Sequence, residues 1–349
     1  MGIVAFIIII SAIILFHELG HFIMAKRMGV KVEVFSLGLG PKLFSVKKGE
    51  TEYTLSAVPL GGYVKMAGED PGEQRTGAEW EFSSKPISKR FNIVVAGALC
   101  NYVLGFILFC LIFMLGAPIS TSRVGRLLEG YPAEQAGIRE NDVIISIDGK
   151  ETHYWQDVIE AIHNRSQDEE IEIEVGRDDE VIRFSLKGQS EEQKDIFGKP
   201  VKVTLIGIAP SEEVIYVKHG FFKSVAIGAE TTLRVTSLTY TALWRILTGS
   251  MSVKAVSGPI GIFAMTSQVA QKGVMQLLWI SALISVSLAL FNLLPLPILD
   301  GGHILFLFLE KIKGRPLDRK VQEVVQQIAM ALLITFVLIV SWNDIMKFF

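Results

Sequence analysis

Five consecutive residues near the N-terminus, His17-Glu18-Leu19-Gly20-His21, have the types and spacing of a hydrolytic metal centre. On a helix the two histidines, four residues apart, project from the same face and can chelate one Zn²⁺. Glu18 lies beside them and is placed to take a proton from a metal-bound water. The motif lies in an apolar run, where each ionisable group costs about 2.5–3.5 kcal/mol on the insertion scale. We therefore predict a zinc site and not a chance motif on a solvated helix.

A third protein ligand must come from elsewhere, because a catalytic zinc usually takes three and leaves the fourth position to water. Asp300 is the candidate, at the end of the stretch Asn292-Leu-Leu-Pro-Leu-Pro-Ile-Leu-Asp300, and His303 is its rival. Pro295 and Pro297 break the helix there and free backbone groups that only a buried or water-filled cavity tolerates. The alternative is that Asp300 simply ends a membrane span at the interface.

Composition indicates that these residues lie in a membrane protein. Of 349 residues, 50% are hydrophobic and 20% charged, and the mean hydropathy is +0.41. Four runs are apolar over the roughly 20 residues that a helix needs to cross a bilayer, and we predict spans at 1–25, 91–118, 273–300 and 324–343. The first run lacks a basic segment before it and a small-residue cleavage site, so it is predicted to be a span and not a cleaved signal.

Charges flanking the spans predict the orientation. Lys and Arg concentrate around the segments 67–90 and 310–323, which are therefore predicted to be cytoplasmic loops. Residues 119–210 hold 11 Lys and Arg against 19 Asp and Glu, and this acidic segment, like both termini, is predicted to lie outside the cytoplasm. The net charge of −2 provides no polybasic surface, so no nucleic-acid partner is expected. The two cysteines share one apolar run and predict no disulfide framework.

Two segments between the spans have patterns of their own. Residues 30–66 alternate apolar and polar side chains with Gly and Pro between them, which predicts short antiparallel strands. Residues 210–272 are amphipathic or uncharged but broken by Gly and Pro, and we predict helices on the outer membrane surface there, with a re-entrant segment as the alternative.

Taken together, the two metal-binding motifs resemble those of the site-2 protease family, most closely its bacterial RseP and RasP-type members with a single PDZ domain. The resemblance covers nearly the whole chain. It includes, besides the motifs above, Phe35-Ser-Leu-Gly-Leu-Gly40, Pro59-Leu-Gly-Gly-Tyr-Val-Lys-Met66, Ser257-Gly-Pro-Ile-Gly261 and Asp300-Gly-Gly-His303. One departure is Gly97-Ala98-Leu-Cys-Asn101, where the family often has Gly-Pro-x-x-Asn.

The resemblance implies a role for each matching residue. His17, His21 and Asp300 would be the zinc ligands, Glu18 the general base, and Asn292 a residue that holds the substrate near the metal. Pro295 and Pro297 would shape that substrate-binding segment. Phe35–Gly40 would be a membrane-associated, re-entrant β-hairpin on the cytoplasmic side that adds a strand to the unwound substrate. The glycines expected to contribute to substrate binding are Gly38, Gly40, Gly61 and Gly62, for which simple turn chemistry is an equal alternative.

Residues 122–209 also contain a run that resembles the core of a bacterial PDZ domain, Ala133-Glu-Gln-Ala-Gly-Ile-Arg-Glu-Asn-Asp142-Val-Ile-Ile-Ser-Ile-Asp-Gly149. A PDZ groove binds an extended peptide by strand addition. The residues expected to form that groove are Val124, Gly125, Arg126 and Leu127. Alternatively the module binds no peptide and acts as a size filter that excludes substrates with large outer domains.

The predicted fold is a polytopic α-helical membrane protein with four transmembrane helices, a cytoplasmic-side membrane-associated β-hairpin or sheet, and one extracytoplasmic α+β PDZ domain. The predicted activity is zinc-dependent hydrolysis of a peptide bond inside the bacterial cytoplasmic membrane, near its cytoplasmic side. By resemblance, substrates would be single-span proteins already trimmed outside, such as anti-sigma factors, or signal-peptide remnants. The rivals are a zinc-binding transporter or sensor, which has no use for Glu18, and a PDZ scaffold without proteolysis.

Overall fold

The computed structural model describes residues 2–69, 76–163, 165–166, 169–195, 199–252 and 256–347. Residues 70–75 of the predicted loop 67–90 and residues 253–255 of the predicted region 210–272 lie outside that range. The helices are α1 Gly2–Arg27, α2 Ile87–Leu115, α3 Pro132–Ala136, α4 Trp155–His163, α5 Phe221–Leu247, α6 Pro259–Val269, α7 Val274–Asn292, α8 Asp300–Lys313 and α9 Arg319–Met346, with a 3-10 turn at Phe82–Ser84. The strands are β1 Val32–Lys48, β2 Thr51–Met66, β3 Ala117–Ser120, β4 Val124–Leu127, β5 Val143–Ile147, β6 Lys150–Glu151, β7 Glu170–Arg177, β8 Glu180–Lys187, β9 Gln189–Lys194, β10 Pro200–Leu205, β11 Ile208–Pro210 and β12 Val214–Val217.

Among the described residues, four helices are long and apolar enough to cross a membrane, α1, α2, α7 and α9, in agreement with the predicted number. The helix bounds differ from the predicted spans at several ends, and two of these differences have a local cause. The third apolar helix ends at Asn292 and not at Asp300, because Pro295 and Pro297 lie in a non-helical segment before α8. The second ends at Leu115, since Gly116 has a φ of 126° and the chain then enters β3.

The chain divides into two compact units. The first comprises residues 1–112, 221–243 and 256–349, and the second comprises residues 113–220 and 244–255. The first unit contains the apolar helices, the long hairpin β1–β2 and both predicted halves of the metal site.

The strands β1 and β2 are each longer than the short strands predicted for residues 30–66, and both bend. Because of the bend, residues 34–37 of β1 pair with two segments of β2, with 52–55 on one side and with 62–65 on the other. Residues 42–48 of β1 pair with the remaining edge of 51–56. The result is an antiparallel sheet with residues 62–66 at one edge and 42–48 at the other. At the bend, Gly38 has a φ of 94°, and a Cβ there would lie 2.8 Å from the carbonyl oxygen of Ser56. Gly38 is therefore required by the turn itself.

The hairpin packs against the helix that carries the histidines. α1 contacts both β2 and α6, and the Ser11 hydroxyl donates to the carbonyl oxygen of Pro59. Below the histidines, buried side chains of α1, the hairpin and α2 form one apolar cluster: Ala25, Val30, Val32, Met66 and Ile93. This cluster fixes the three elements relative to one another around the metal site.

The second unit is an α+β module built on the four-stranded sheet β6-β5-β7-β8. Its apolar core includes Ile144, Ile171 and Ile173 from the sheet and Val158 from α4. Burial acts to raise the pKa of the Asp142 carboxyl, but two hydrogen bonds from Arg177, at 2.8 and 2.7 Å, and one from the backbone N–H of Arg139 outweigh it and hold that pKa below its ordinary value.

Region 210–272 is not wholly helical, because β12 pairs with β3 before α5 begins. The segment Val124, Gly125, Arg126 and Leu127, predicted to form a peptide-binding groove, forms strand β4. β4 is paired with β11, the Val124 N–H donates to the carbonyl of Asp142, and a Cβ on Gly125 would lie 2.4 Å from Ser211 Cα. A concave apolar surface of about 200 Å³ lies elsewhere in the module, between Trp155 and Ile159 of α4 and Leu205–Ile208.

Candidate metal centre

His17 and His21 lie one turn apart on α1 and direct their Nε2 atoms to a common point. The two Nε2 atoms are 3.1 Å apart, and the ring planes are nearly perpendicular at 83°. The Nδ1–H of His21 donates to the carbonyl oxygen of Ile93 on α2 at 2.9 Å. That bond fixes the ring orientation and leaves Nε2 free to bind a metal.

Asp300 completes the trio from the first turn of α8. Its Oδ2 lies 3.4 Å from His17 Nε2, and its Oδ1 lies 3.5 Å from His21 Nε2. The following Gly301 and Gly302 allow the helix to begin directly against the preceding loop, because a Cβ on either would lie within 2.2 Å of a backbone oxygen of that loop. The ligand atoms of His17, His21 and Asp300 lie within 4.8 Å of one another, and this group does not include His303.

The spacing of these atoms fits Zn²⁺. Ligands bound to zinc at about 2.0–2.1 Å in a tetrahedron lie roughly 3.3 Å from each other. The three separations here are 3.1, 3.4 and 3.5 Å. Asp300 Oδ2 is buried without a hydrogen-bond partner among the described residues, as expected of an oxygen whose partner is a metal ion. Two imidazoles and one carboxylate form a ligand set typical of catalytic zinc.

Glu18 lies beside the trio and against the edge of the hairpin sheet. It lines the same cavity as Val64 of that edge. A Cβ on Gly62 would lie 3.2 Å from Glu18 Cγ and 2.9 Å from the carbonyl oxygen of Ser36, so this part of the edge has room only for glycine. The Glu18 carboxylate is thereby positioned next to the metal-binding atoms without being one of them.

These residues line one cavity of about 260 Å³. From the predicted set it brings together His17, Glu18, His21, Asn292 and Asp300, and it also contains His303. The Asn292 side chain, at the end of α7, places Nδ2 3.4 Å from His17 Nδ1. Gly38, Gly40, Pro295 and Pro297 do not line this cavity; the prolines instead lie in the loop whose last residues, Ile298 and Leu299, do.

Two contacts with α2 were not predicted from the sequence. One is the carbonyl of Ile93, which cannot be identified from sequence because a backbone oxygen carries no residue-type signal. The other is Gly97, where a Cβ would lie only 2.2 Å from His21 Nε2. The departure from the family pattern, Ala98 in place of Pro, leaves this glycine in place. Gly97 could have been identified from the sequence, because it is the first residue of the motif Gly97-Ala98-Leu-Cys-Asn101.

Comparison with known proteins agrees with this geometry. The sequence model of peptidase family M50 matches residues 5–336. The chain is 31% identical to the regulator of sigma-W protease RasP of Bacillus subtilis, over 99% of both chains. It is 30% identical to the zinc metalloprotease RasP of Bacillus licheniformis, again over 99% of both, and 30% identical to that of Geobacillus kaustophilus, over 100% of this chain and 98% of the relative. The chain therefore belongs to peptidase family M50, the site-2 proteases, and is a multi-pass intramembrane zinc metalloprotease of the cytoplasmic membrane.

Proposed function

We propose that the chain cleaves the transmembrane segments of single-span membrane proteins, with His17, His21 and Asp300 as zinc ligands and Glu18 as the general base. The observation that carries this proposal is the position of Glu18, which lines the same cavity as the three candidate ligands and lies against the sheet edge at Gly62, but does not belong to the group of metal-binding atoms. A transporter or sensor needs the ligands alone, whereas hydrolysis needs a base that does not bind the metal.

The proposed chemistry divides between the metal and the chain. Zinc, when bound, supplies a Lewis acid for the scissile carbonyl and lowers the pKa of water. The Glu18 carboxylate takes the proton of the attacking water and returns it to the leaving amide nitrogen. The amide Nδ2 of Asn292 lies at the same cavity and can donate to a substrate carbonyl, in agreement with its expected role in holding the substrate.

The substrate must be unwound, because a helical peptide bond is shielded by its own hydrogen bonds. The proposed binding surface is the edge of the hairpin sheet at residues 62–66, where Tyr63, Val64 and Met66 line the cavity. Strand addition at this edge would align the substrate backbone with the metal. The earlier expectation for Phe35–Gly40 needs correction, because residues 34–37 are paired on both sides and have no free edge. Gly62 remains a candidate because it belongs to the edge segment 62–66, and Gly61 directly precedes that segment.

The proposed substrates are anti-sigma factors already trimmed outside, or signal-peptide remnants. The Bacillus subtilis relative is named as a regulator of sigma-W, which supports the first class. We further propose that both termini and a PDZ-type module at 122–209 face the exterior and that the metal centre lies near the cytoplasmic side, because Lys and Arg concentrate around 67–90 and 310–323. The module would act either as a size filter or as a peptide-binding domain.

The test is cleavage of a short-ectodomain, single-span substrate by the full-length protein in liposomes, comparing wild type with Glu18→Gln. We expect the variant to retain zinc and to lose at least about 100-fold in cleavage rate, the lower range for removal of a general base. Glu323→Gln, which changes an exposed carboxylate of α9, serves as the control and should cleave at the wild-type rate. Equal cleavage by Glu18→Gln would refute the assigned role. Zinc transport into the liposomes without cleavage would favour the transporter.

A further inference from the structure

A partly buried ion pair connects α2 with α8 at some distance from the candidate metal ligands. The Arg90 Nη1 and Nη2 atoms donate to the Glu310 carboxylate at 3.0 and 2.5 Å, and Nε donates to the carbonyl oxygen of Lys85 at 3.0 Å. The Arg90 side chain is 12% exposed and the Glu310 side chain 14%. A two-pronged guanidinium–carboxylate pair of this kind fixes both distance and orientation.

The pair lies on the same face of α8 as the metal ligand. Asp300, His303, Leu307 and Glu310 are separated by three or four residues, so they form one stripe along the helix. His303, Leu307 and Glu310 line a cavity of about 260 Å³ together with Arg90 of α2, and His303 also lines the metal cavity. One end of this stripe therefore lies at the zinc ligands and the other at Arg90.

The opposite helix, α2, positions the second histidine. Ile93, one turn beyond Arg90, accepts the Nδ1–H of His21, and Gly97 lies against the same ring. The relative position of α2 and α8 therefore sets the 3.5 Å separation between His21 Nε2 and Asp300 Oδ1. Within the described residues, side-chain ion pairs join α8 to other elements at two places, between Asp300 and the histidines and between Glu310 and Arg90.

We propose that Arg90 and Glu310 are positioning residues for the metal centre: their ion pair holds α8 against α2 so that Asp300 remains within bonding distance of the zinc held by His17 and His21. Neither residue contacts the metal or the substrate. Metal–ligand distances tolerate changes of only about 0.2 Å, so a small displacement of α8 weakens zinc binding. The proposal rests on the metal centre and holds whatever the substrate is.

The experiment measures zinc affinity of the purified full-length protein by competition with a chelator, in the absence of substrate. Glu310→Gln keeps the side-chain volume and removes the charge, and we expect zinc affinity to fall by about 10- to 100-fold, the range for partners that orient ligands. Arg90→Lys keeps the charge but loses the two-pronged geometry and should give an intermediate loss. The exchange Arg90→Glu with Glu310→Arg should recover part of the affinity.

Asp142→Asn is the matched control, because it breaks another buried, two-pronged pair with an arginine, in the second unit. It should lower the melting temperature and leave zinc affinity unchanged. If Glu310→Gln does the same, the pair has only a general structural role and the proposal is wrong. Failure of the exchange variant to recover any affinity, while it remains folded, would also contradict it. Since no substrate is present, the result is independent of the outcome for Glu18→Gln.

Discussion

A single methyl group at Gly97 should disable the metal centre. A Cβ at this position would lie 2.2 Å from His21 Nε2, the atom that faces the zinc, and 2.6 and 2.7 Å from its two ring neighbours. The imidazole cannot simply turn away, because its Nδ1–H is bound to the carbonyl of Ile93. In Gly97→Ala the ring must therefore be displaced as a whole, or α1 must separate from α2.

The size of the displacement follows from these distances. Ordinary contact begins at 3.4 Å, so the ring would have to retreat by about 1.2 Å from its present 2.2 Å. Zinc ligands are confined to within about 0.2 Å of their bonding distance. A misplacement of about 1 Å costs roughly 100-fold in a catalytic site. We therefore expect zinc affinity and cleavage rate each to fall by about 100-fold or more.

Chelator competition on the full-length protein measures the first effect, and cleavage of the single-span substrate at saturating zinc measures the second. Gly105→Ala is the control on the same helix, because its Cβ would lie 2.4 Å from Cγ2 of Val286, a side chain that is not part of the metal site. It should reduce stability and leave zinc affinity within about twofold of wild type. Wild-type zinc affinity in Gly97→Ala would refute the close approach inferred here.

Two further predictions concern buried carboxylates away from the metal. The pKa of Asp142 in the folded protein is below its ordinary value of 3.8. The ionised carboxylate therefore stabilises the fold above pH 3.8, and this stabilisation is lost as the pH falls through the pKa of the folded state. The difference in melting temperature between wild type and Asp142→Asn should therefore shrink on acidification from pH 7 to pH values below about 4, and a constant difference would contradict the charge effect. The carboxylate of Asp344 accepts N–H bonds from Gly258 and Gly261 at the start of α6, both at 2.8 Å. Asp344→Asn should lower the free energy of unfolding by about 2 kcal/mol in thermal or denaturant unfolding, and no change would mean that the neutral amide oxygen of Asn accepts both bonds as well as the carboxylate does.

The candidate metal ligands could be predicted from the sequence because their signals are local. Ionisable residues are rare in apolar spans, so His17, Glu18, His21 and Asp300 stand out without any knowledge of the fold. The proline break before Asp300 is likewise a property of the chain at that point, and the structure confirms it. To predict that the histidines and Asp300 are close in space, it was enough to assume that ionisable residues in apolar spans lie together on one side of the bilayer.

The sheet and the module were harder to predict because their geometry depends on long-range pairing. Alternation predicts strands at 30–66, but not that residues 34–37 take two partners and leave 62–66 at the edge. The partner of Val124–Leu127 was hard to predict for the same reason. A sequence indicates that a strand forms, whereas its pairing with β11, where Ile208 lies opposite Leu127, is decided by packing.

The metal centre depends on small residues where backbones meet, and this explains how charged groups can be held among apolar helices. A Cβ on Gly20 of α1 would lie 2.3 Å from the carbonyl oxygen of Ala96 on α2, and one on Gly301 of α8 would lie 2.1 Å from that of Leu294. Close approach of backbones is the usual way to pack helices tightly where lipid offers no hydrophobic driving force. The side chains of His17 and His21 are each 11% exposed and that of Asp300 is 16% exposed, so the candidate ligands meet in a largely desolvated site. There the electrostatic attraction between a bound zinc ion and the Asp300 carboxylate is stronger than in water, which offsets the cost of placing these groups in the membrane.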